Sequence, residues 1–306
     1  LSAITKSGNN QGETMFKNAT IYRYQIESAL PPEFGNFQRF VPCGDLQEKS
    51  VGWIEPRGHN HGPMVEIVNG ERIVKLMIET KSVPGKVLRD EVDNRIYEIE
   101  RTQGRKPGKK EIREIKEDAR LALLPQAFPK QTAVMAWLRD DGLLIVDTAS
   151  QSRADDFVSA LMTAIPSLKL YLFSTVQDPK SMMTNWLLGD HYETPYGFSI
   201  GYDCLLESVG EDMSKVKFTR HNLDCDEVRR HVSEGKLPTA LSLEFDGKAQ
   251  FTLTDSMRIK KINLLDTGDG ERGEDAFDAD VAIFTGTFGP LVDSLIKALG
   301  GEHETR

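Results

Sequence analysis

The chain has 306 residues, with 38 Lys and Arg against 47 Asp and Glu, for a formal net charge of −9. That balance argues against a protein that coats nucleic acid with its whole surface, but leaves room for one that segregates its cations. No apolar run is expected to reach the roughly 18 residues that cross a bilayer, and three widely spaced cysteines without a CxxC argue against a disulfide framework or zinc ribbon.

Residues 1–14 are small and polar, without the basic-then-apolar order of a secretory leader. They read as a disordered tail or cloning remnant ahead of a start at Met15. ATIYRYQI, Ala19 to Ile26, alternates and reads as a strand. The Gly- and Pro-rich stretch to Pro56 reads as irregular chain with aromatic anchors at Phe37, Phe40 and Trp53. MVEIVNG and RIVKLMIET form a strand pair turning at Asn69-Gly70, residues that tolerate positive φ. From Pro84 the period becomes helical, with Leu88, Val92, Ile96 and Ile99 on one face and a stop near Gly104. A second helix opens near Lys109, carries Ile112, Ile115, Ala119 and Leu123, and ends before Pro125. The two make an antiparallel helical hairpin.

TAVMAWLRDDGLLIVDTA reads as a β-hairpin at Asp141-Gly142. SRADDFVSALMTAI reads as a helix with Ser152 as N-cap and Asp155 and Asp156 in its first turn. A strand LKLYLFS and a short helix from Pro179 to Gly189 follow. KVKFTRHNL reads as a strand with Lys215 and Lys217 on one face, CDEVRRHVSEG as a helix, and residues 239–265 as two or three strands turning at Asp246-Gly247. Asp266 to Asp280 holds seven acids and one base and reads as a solvated loop. VAIFTG closes as a strand and FGPLVDSLIKALGG as a helix. The fold class is α+β: antiparallel-rich sheets with packed helices and a protruding helical hairpin. All three thiols read as buried in a reducing cytoplasm.

Four stretches invite chemistry. GFSIG, Gly197 to Gly201, matches the serine-hydrolase elbow around Ser199, but the residues before it, GDHYETPY, are no buried strand. His59 and His61 in GHNHG suggest a metal nuclease, yet no carboxylate or thiolate cluster in the sequence completes a ligand set. GRKPGKK lacks the spacing and hydroxyl residue of a phosphate loop. The fourth is a basic knot: seven cations, among them Arg105, Lys106, Lys109 and Lys110, against two acids between Arg101 and Lys116. Further cations lie at Lys217, Arg220, Lys236, Lys260 and Lys261. Brought to one concave surface, these would hold a phosphate backbone without reading bases. A solvated hairpin turn is the plainer account.

FKN and YR near the start, FVPCG (Phe40 to Gly44), GWIEP (Gly52 to Pro56), LLPQAF (Leu123 to Phe128), GLLIVDTAS (Gly142 to Ser150), MTNWLL, SEGK (Ser233 to Lys236), FDAD (Phe277 to Asp280) and IKALGGE occur in one order. In this set the chain resembles the recombination-associated RdgC family of proteobacteria from Met15 to Glu302. The resemblance implies a non-enzymatic homodimer, closed into a ring through the helical hairpins and through the opposite base. The ring would encircle duplex DNA non-specifically in the cytoplasmic nucleoid, without a cofactor, and restrain the RecA recombinase. It places a central α+β domain at 15–80 and 131–175, the hairpin tip at 81–130 and a base domain at 176–306. By the same matching, Arg105, Lys106 and Arg220 face DNA, with Lys81 a weaker candidate, and Phe128 is an apolar anchor of the hairpin contact. Lys109, Lys110 and Lys217 join the DNA-facing set from the charge pattern. Gln126 stands where the family has Arg, so one phosphate contact is missing. The alternative is a hydrolase, at Ser199 or at His59 and His61.

Overall fold

The computed structural model describes residues 15–25, 35–59, 61–189, 197–208, 214–265 and 276–303. The proposed tail at 1–14, Ile26, the run from 190 to 196 and most of the acidic stretch (266–275) lie outside them.

The architecture is α+β, as the alternation of periods predicts. Twelve strands form one antiparallel sheet system. They are β1 (Asn18–Gln25), β2 (Lys49–Ile54), β3 (Val65–Val68), β4 (Glu71–Lys81), β5 (Pro129–Leu138), β6 (Leu143–Val146), β7 (Lys169–Leu172), β8 (Phe198–Ser208), β9 (Lys215–Phe218), β10 (Lys236–Phe245), β11 (Ala249–Thr254) and β12 (Ile259–Leu264). The order is β2-β4-β5-β6-β1-β12-β11-β10-β8-β9, with β3 beside β4 and β7 beside β1. β1 is the shared strand: Asn18 and Ala19 pair β12, whereas Thr20 to Arg23 pair β6. The Asp147 carboxylate accepts the Lys17 and Asn18 N–H groups at 3.0 and 2.9 Å, where β1 changes partners.

Six helices complete the described fold: α1 (Gly85–Gln103), α2 (Lys109–Leu123), α3 (Gln151–Ala164), α4 (Pro179–Leu188), α5 (Asp226–Ser233) and α6 (Ala276–Ala298). The β3–β4 turn runs through Asn69 and Gly70, both at positive φ, as their chemistry predicts. α1 stops on Gly104 at φ 65, and the last turn of α2 passes into a 3-10 turn holding Pro125.

Several expectations are corrected. VAIFTG is not a strand: it lies inside the 23-residue helix α6, which also takes up Ala276 to Asp280 of the expected acidic loop. β-branched and aromatic residues suggest a strand there, but Val281, Phe284, Phe288, Leu291, Val292 and Leu295, all fully buried, follow helical spacing. Gly289 is buried against the Trp137 ring, and a Cβ there would meet it at an ordinary contact distance of 3.4 Å. Pro290 is carried inside the helix. By length and mean hydropathy (1.3), α6 could cross a membrane, against the sequence expectation. Its buried apolar face instead makes it the core helix of the sheet.

The stretch before Pro56 contains β2, paired along β4 from Lys49↔Thr80 to Ile54↔Lys75. Gly52 is required there, because a Cβ would meet the Phe40 Cα at 2.4 Å. The N-cap position of α3 is Ser150 rather than Ser152, with no side-chain hydrogen bond to the first turn, and Asp155 and Asp156 fall beyond that turn. Arg220 lies past the end of β9, in a turn at φ 52. Of the thiols only Cys204 is buried, where desolvation pushes its pKa up to about 12; Cys43 and Cys225 are half-buried.

Candidate nucleic-acid interface

The helical hairpin leaves the sheet between β4 and β5 and returns to it. Its root is the pair Lys81↔Pro129. Around the root the chain is tied down by polar contacts. Lys81 donates its ammonium to the Gly44 carbonyl at 3.1 Å, and Arg120 of α2 reaches Glu48 at 2.8 Å. The Glu79 carboxylate, buried beneath the 43–48 loop, accepts from Gln131 at 2.7 Å and from the Cys43 N–H at 2.8 Å. Those donors hold its pKa below the ordinary carboxylate value.

The hairpin itself buries little. Val92 is the buried residue of α1 and Ala119 that of α2. A groove of about 520 Å³ runs between the helices, floored by Ile99 and Ile115 and rimmed by Glu91, Glu98 and Asp118.

The basic knot occupies the turn, and its cations are unequal. Arg105 is held by Glu111 through two hydrogen bonds of 2.7 and 2.8 Å, which raise its pKa. Lys110 has Glu114 at 3.9 Å. Lys106 and Lys109 are exposed and form no ion pair among the described residues. Lys81, at the root, is spent on Gly44.

Phe128 is 93% exposed, the most exposed large apolar side chain described. It follows α2 at the root, not at the turn. The 15 residues of α2 place it roughly 22 Å from the knot at 1.5 Å per residue. The two features of this segment therefore sit at opposite ends of one helix.

The second basic group lies on the last strand of the order. Lys217 is exposed on β9, and Lys215 is paired with Glu207 at 2.8 Å. The Arg220 N–H donates to Asp203, leaving its guanidinium exposed. The strand order separates β9 from the hairpin by seven strands, so within one chain the two basic groups are not one local cluster.

The hydrolase motif dissolves into strand structure. Ser199 is an exposed residue of β8 facing Glu244 in the ladder. Gly197 turns at φ 92, and a Cβ on Gly201 would lie 2.5 Å from Ser242 Oγ. That hydroxyl accepts the Asp203 N–H at a register shift of β8 against β10. His59 and His61 are exposed, and the His61 N–H donates to Glu55. Among the described residues no three His, Cys, Asp or Glu side chains gather as metal ligands.

Comparison with known proteins places the chain among the following. A family model described as "Putative exonuclease, RdgC" matches residues 14–302. The protein named recombination-associated protein RdgC in Herminiimonas arsenicoxydans is 35% identical over 304 residues, covering 94% of this chain and 98% of its own length. The protein of that name in Janthinobacterium sp. (strain Marseille) is 34% identical over 307 residues, covering 95% and 99%. That of Bordetella pertussis is 34% identical over 298 residues, covering 94% and 98%.

Proposed function

The chain belongs to the RdgC family, a recombination-associated family, and on that premise we propose that it binds double-stranded DNA without sequence preference as a homodimeric ring. Encircling the duplex, it restrains RecA-mediated recombination in the cytoplasmic nucleoid. The observation that carries this reading is the placement of uncompensated cations. On a chain of net charge −9, Lys106 and Lys109 project from the hairpin turn without a carboxylate partner among the described residues. Lys217 on β9, and Arg220 just past its end, do the same at the far side of the strand order. Phosphates supply the missing anions, and counterion release drives binding.

The assigned contacts separate by how much each side chain must give up. Lys106, Lys109, Lys217 and Arg220 are free to meet phosphate. Arg105 and Lys110 share themselves with Glu111 and Glu114, and Lys81 would first leave Gly44. Phe128 belongs to the contact between copies, because a side chain 93% exposed gains most from burial against a partner.

The test is a gel shift on linear duplexes of unrelated sequence, across a salt series with EDTA present. Binding should ignore sequence, survive EDTA and weaken steeply with salt. The double variant Lys106→Glu, Lys109→Glu should weaken binding to all duplexes alike and flatten the salt slope by about four for the dimer, near one unit for each phosphate no longer neutralised by two lysines in each of two protomers. The family description names an exonuclease, so the same duplexes are followed with Mg²⁺ in place of EDTA. Their stepwise loss from the ends would overturn the non-enzymatic reading, and absence of binding at low salt would overturn the ring.

A further inference from the structure

The three-stranded segment β2-β4-β5 has two faces. Trp53, Leu76 and Val134 lie abreast on one, in the core beneath α3. Strand alternation puts Ile73, Lys75, Met77, Glu79 and Lys81 on the other. Coverage of that second face changes along its length. Ile73 and Trp137 are buried under α6, with the Trp137 ring edge-on to Phe284. At the hairpin end, Glu79 is closed over by Cys43. Between them a strip stays open: Met77 is half-buried and its neighbour Ala133 is exposed.

Lys75 stands at the border of this strip, abreast of Ile54 and Met135. Its ammonium makes one long contact, to the Pro56 carbonyl at 3.5 Å. Nearby cations are matched: Arg57 with Glu66 and Asp278, Arg72 with Asp140, Arg139 with Asp141 and Asp293, Lys49 with Asp156. Lys75 has no carboxylate partner among the described residues. Burial lowers its pKa, the only cause acting on it, because a half-desolvated charge without a counter-ion is penalised. Such a group gains from an anion arriving from solvent.

We propose that Lys75 is a phosphate contact for duplex DNA, and that the backbone lies along the open strip of β4 from Lys75 toward Lys81 at the hairpin root. The proposal rests on the DNA-binding reading and extends it from the hairpin turn to the sheet. The charge matches a phosphate oxygen, which a lysine meets as a point charge. The apolar surround of Ile54, Met77, Ala133 and Met135 offers sugar-sized contacts, and the acid of β4 on this face, Glu79, is buried and already engaged by Gln131 and the Cys43 N–H. Six residues of strand separate Lys75 from Lys81, about 20 Å at 3.4 Å each, which leads the backbone to the base of the hairpin.

The test compares Lys75→Met and Lys75→Arg with the parent chain on one linear duplex, across a salt series, with thermal unfolding measured on the same proteins. Lys75→Met should bind more weakly at low salt, with a slope of log K against log salt shallower by about two for the dimer, one for each protomer's lost contact. It should unfold at the same or a higher temperature, since it removes a charge held without a partner. Lys75→Arg should restore the slope. An unchanged slope in Lys75→Met, with the parent binding normally, overturns this contact alone. A parent chain that binds no duplex overturns it together with the reading beneath it. Lys75→Gln is read in the same way should the methionine variant fail to fold.

Discussion

The α6 face of the sheet and the helical hairpin are built on opposite terms. Under α6, Val281, Phe284, Phe288, Leu291, Val292 and Leu295 are fully buried. Phe284 stacks between Phe16 at 4.5 Å and Phe288 at 4.9 Å. Ion pairs there cross between elements: Arg57, in the turn after β2, reaches Asp278, and Arg139, after β5, reaches Asp293 at 2.8 Å. Along the hairpin the pairs Glu91 with Arg95, Glu98 with Arg101 and Lys110 with Glu114 are local, and Arg120 with Glu48 ties α2 to the body only near the root. The local pairs support each helix without fixing it to the body. Tyr97 is 63% exposed and Phe128 93%. One region spends its apolar surface on folding. The other leaves apolar and charged surface exposed.

That contrast is broken most forcefully in the core. Phe284→Ala should cost about 3–5 kcal/mol, the range for truncating a fully buried Phe, read as a lower urea midpoint. A loss under about 1 kcal/mol would mean α6 is not the core helix. Gly52→Ala should come next, at about 1–3 kcal/mol, because the new methyl meets backbone and not a flexible side-chain end. On the hairpin, Phe128→Ser should leave stability within about 0.5 kcal/mol of the parent while lowering the dimer mass in sedimentation equilibrium. A Phe128→Ser chain that unfolds early would show that the residue serves the fold, and the contrast would fail at its sharpest point.

The hairpin was the most legible part of the sequence. Pro84, Gly104, Pro107-Gly108 and Pro125 punctuate it, and local chemistry alone sets both helix limits. α6 was the least legible. Gly286, Gly289 and Pro290 are helix breakers by local preference, and only the tertiary need to cover Ile73, Trp137 and Ile145 overrides them. β2 was missed because half its pattern is spent on Gly52, a residue explained by the Phe40 backbone and by nothing beside it in sequence. The charge of the knot was legible, but its division was not. That Arg105 is occupied by Glu111 while Lys106 stays free depends on how the turn folds back on α2. Lys75 carried no signal at all, since a lone lysine in an apolar strand gains meaning only from the carboxylates that fail to surround it.

The smallest expected effect lies where the sheet changes partners. Burial raises the pKa of Asp147, partly offset by the two N–H groups it accepts from Lys17 and Asn18. In the unfolded chain the same carboxyl ionises at its ordinary, lower pKa. Between the two values the folded state binds more proton than the unfolded state. Stability from this group therefore falls as pH rises through that window, then stays level above the folded pKa. Asp147→Asn keeps an oxygen to accept both N–H groups and removes the charge that burial penalises. The variant should be at least as stable as the parent at neutral pH, and its stability-against-pH curve should lack the parent's decline in the acid range. A variant markedly less stable at neutral pH would show that the ionised carboxylate, through Lys17, holds the shared strand in place, and that this junction follows the electrostatic terms of the hairpin instead of the burial terms of the core.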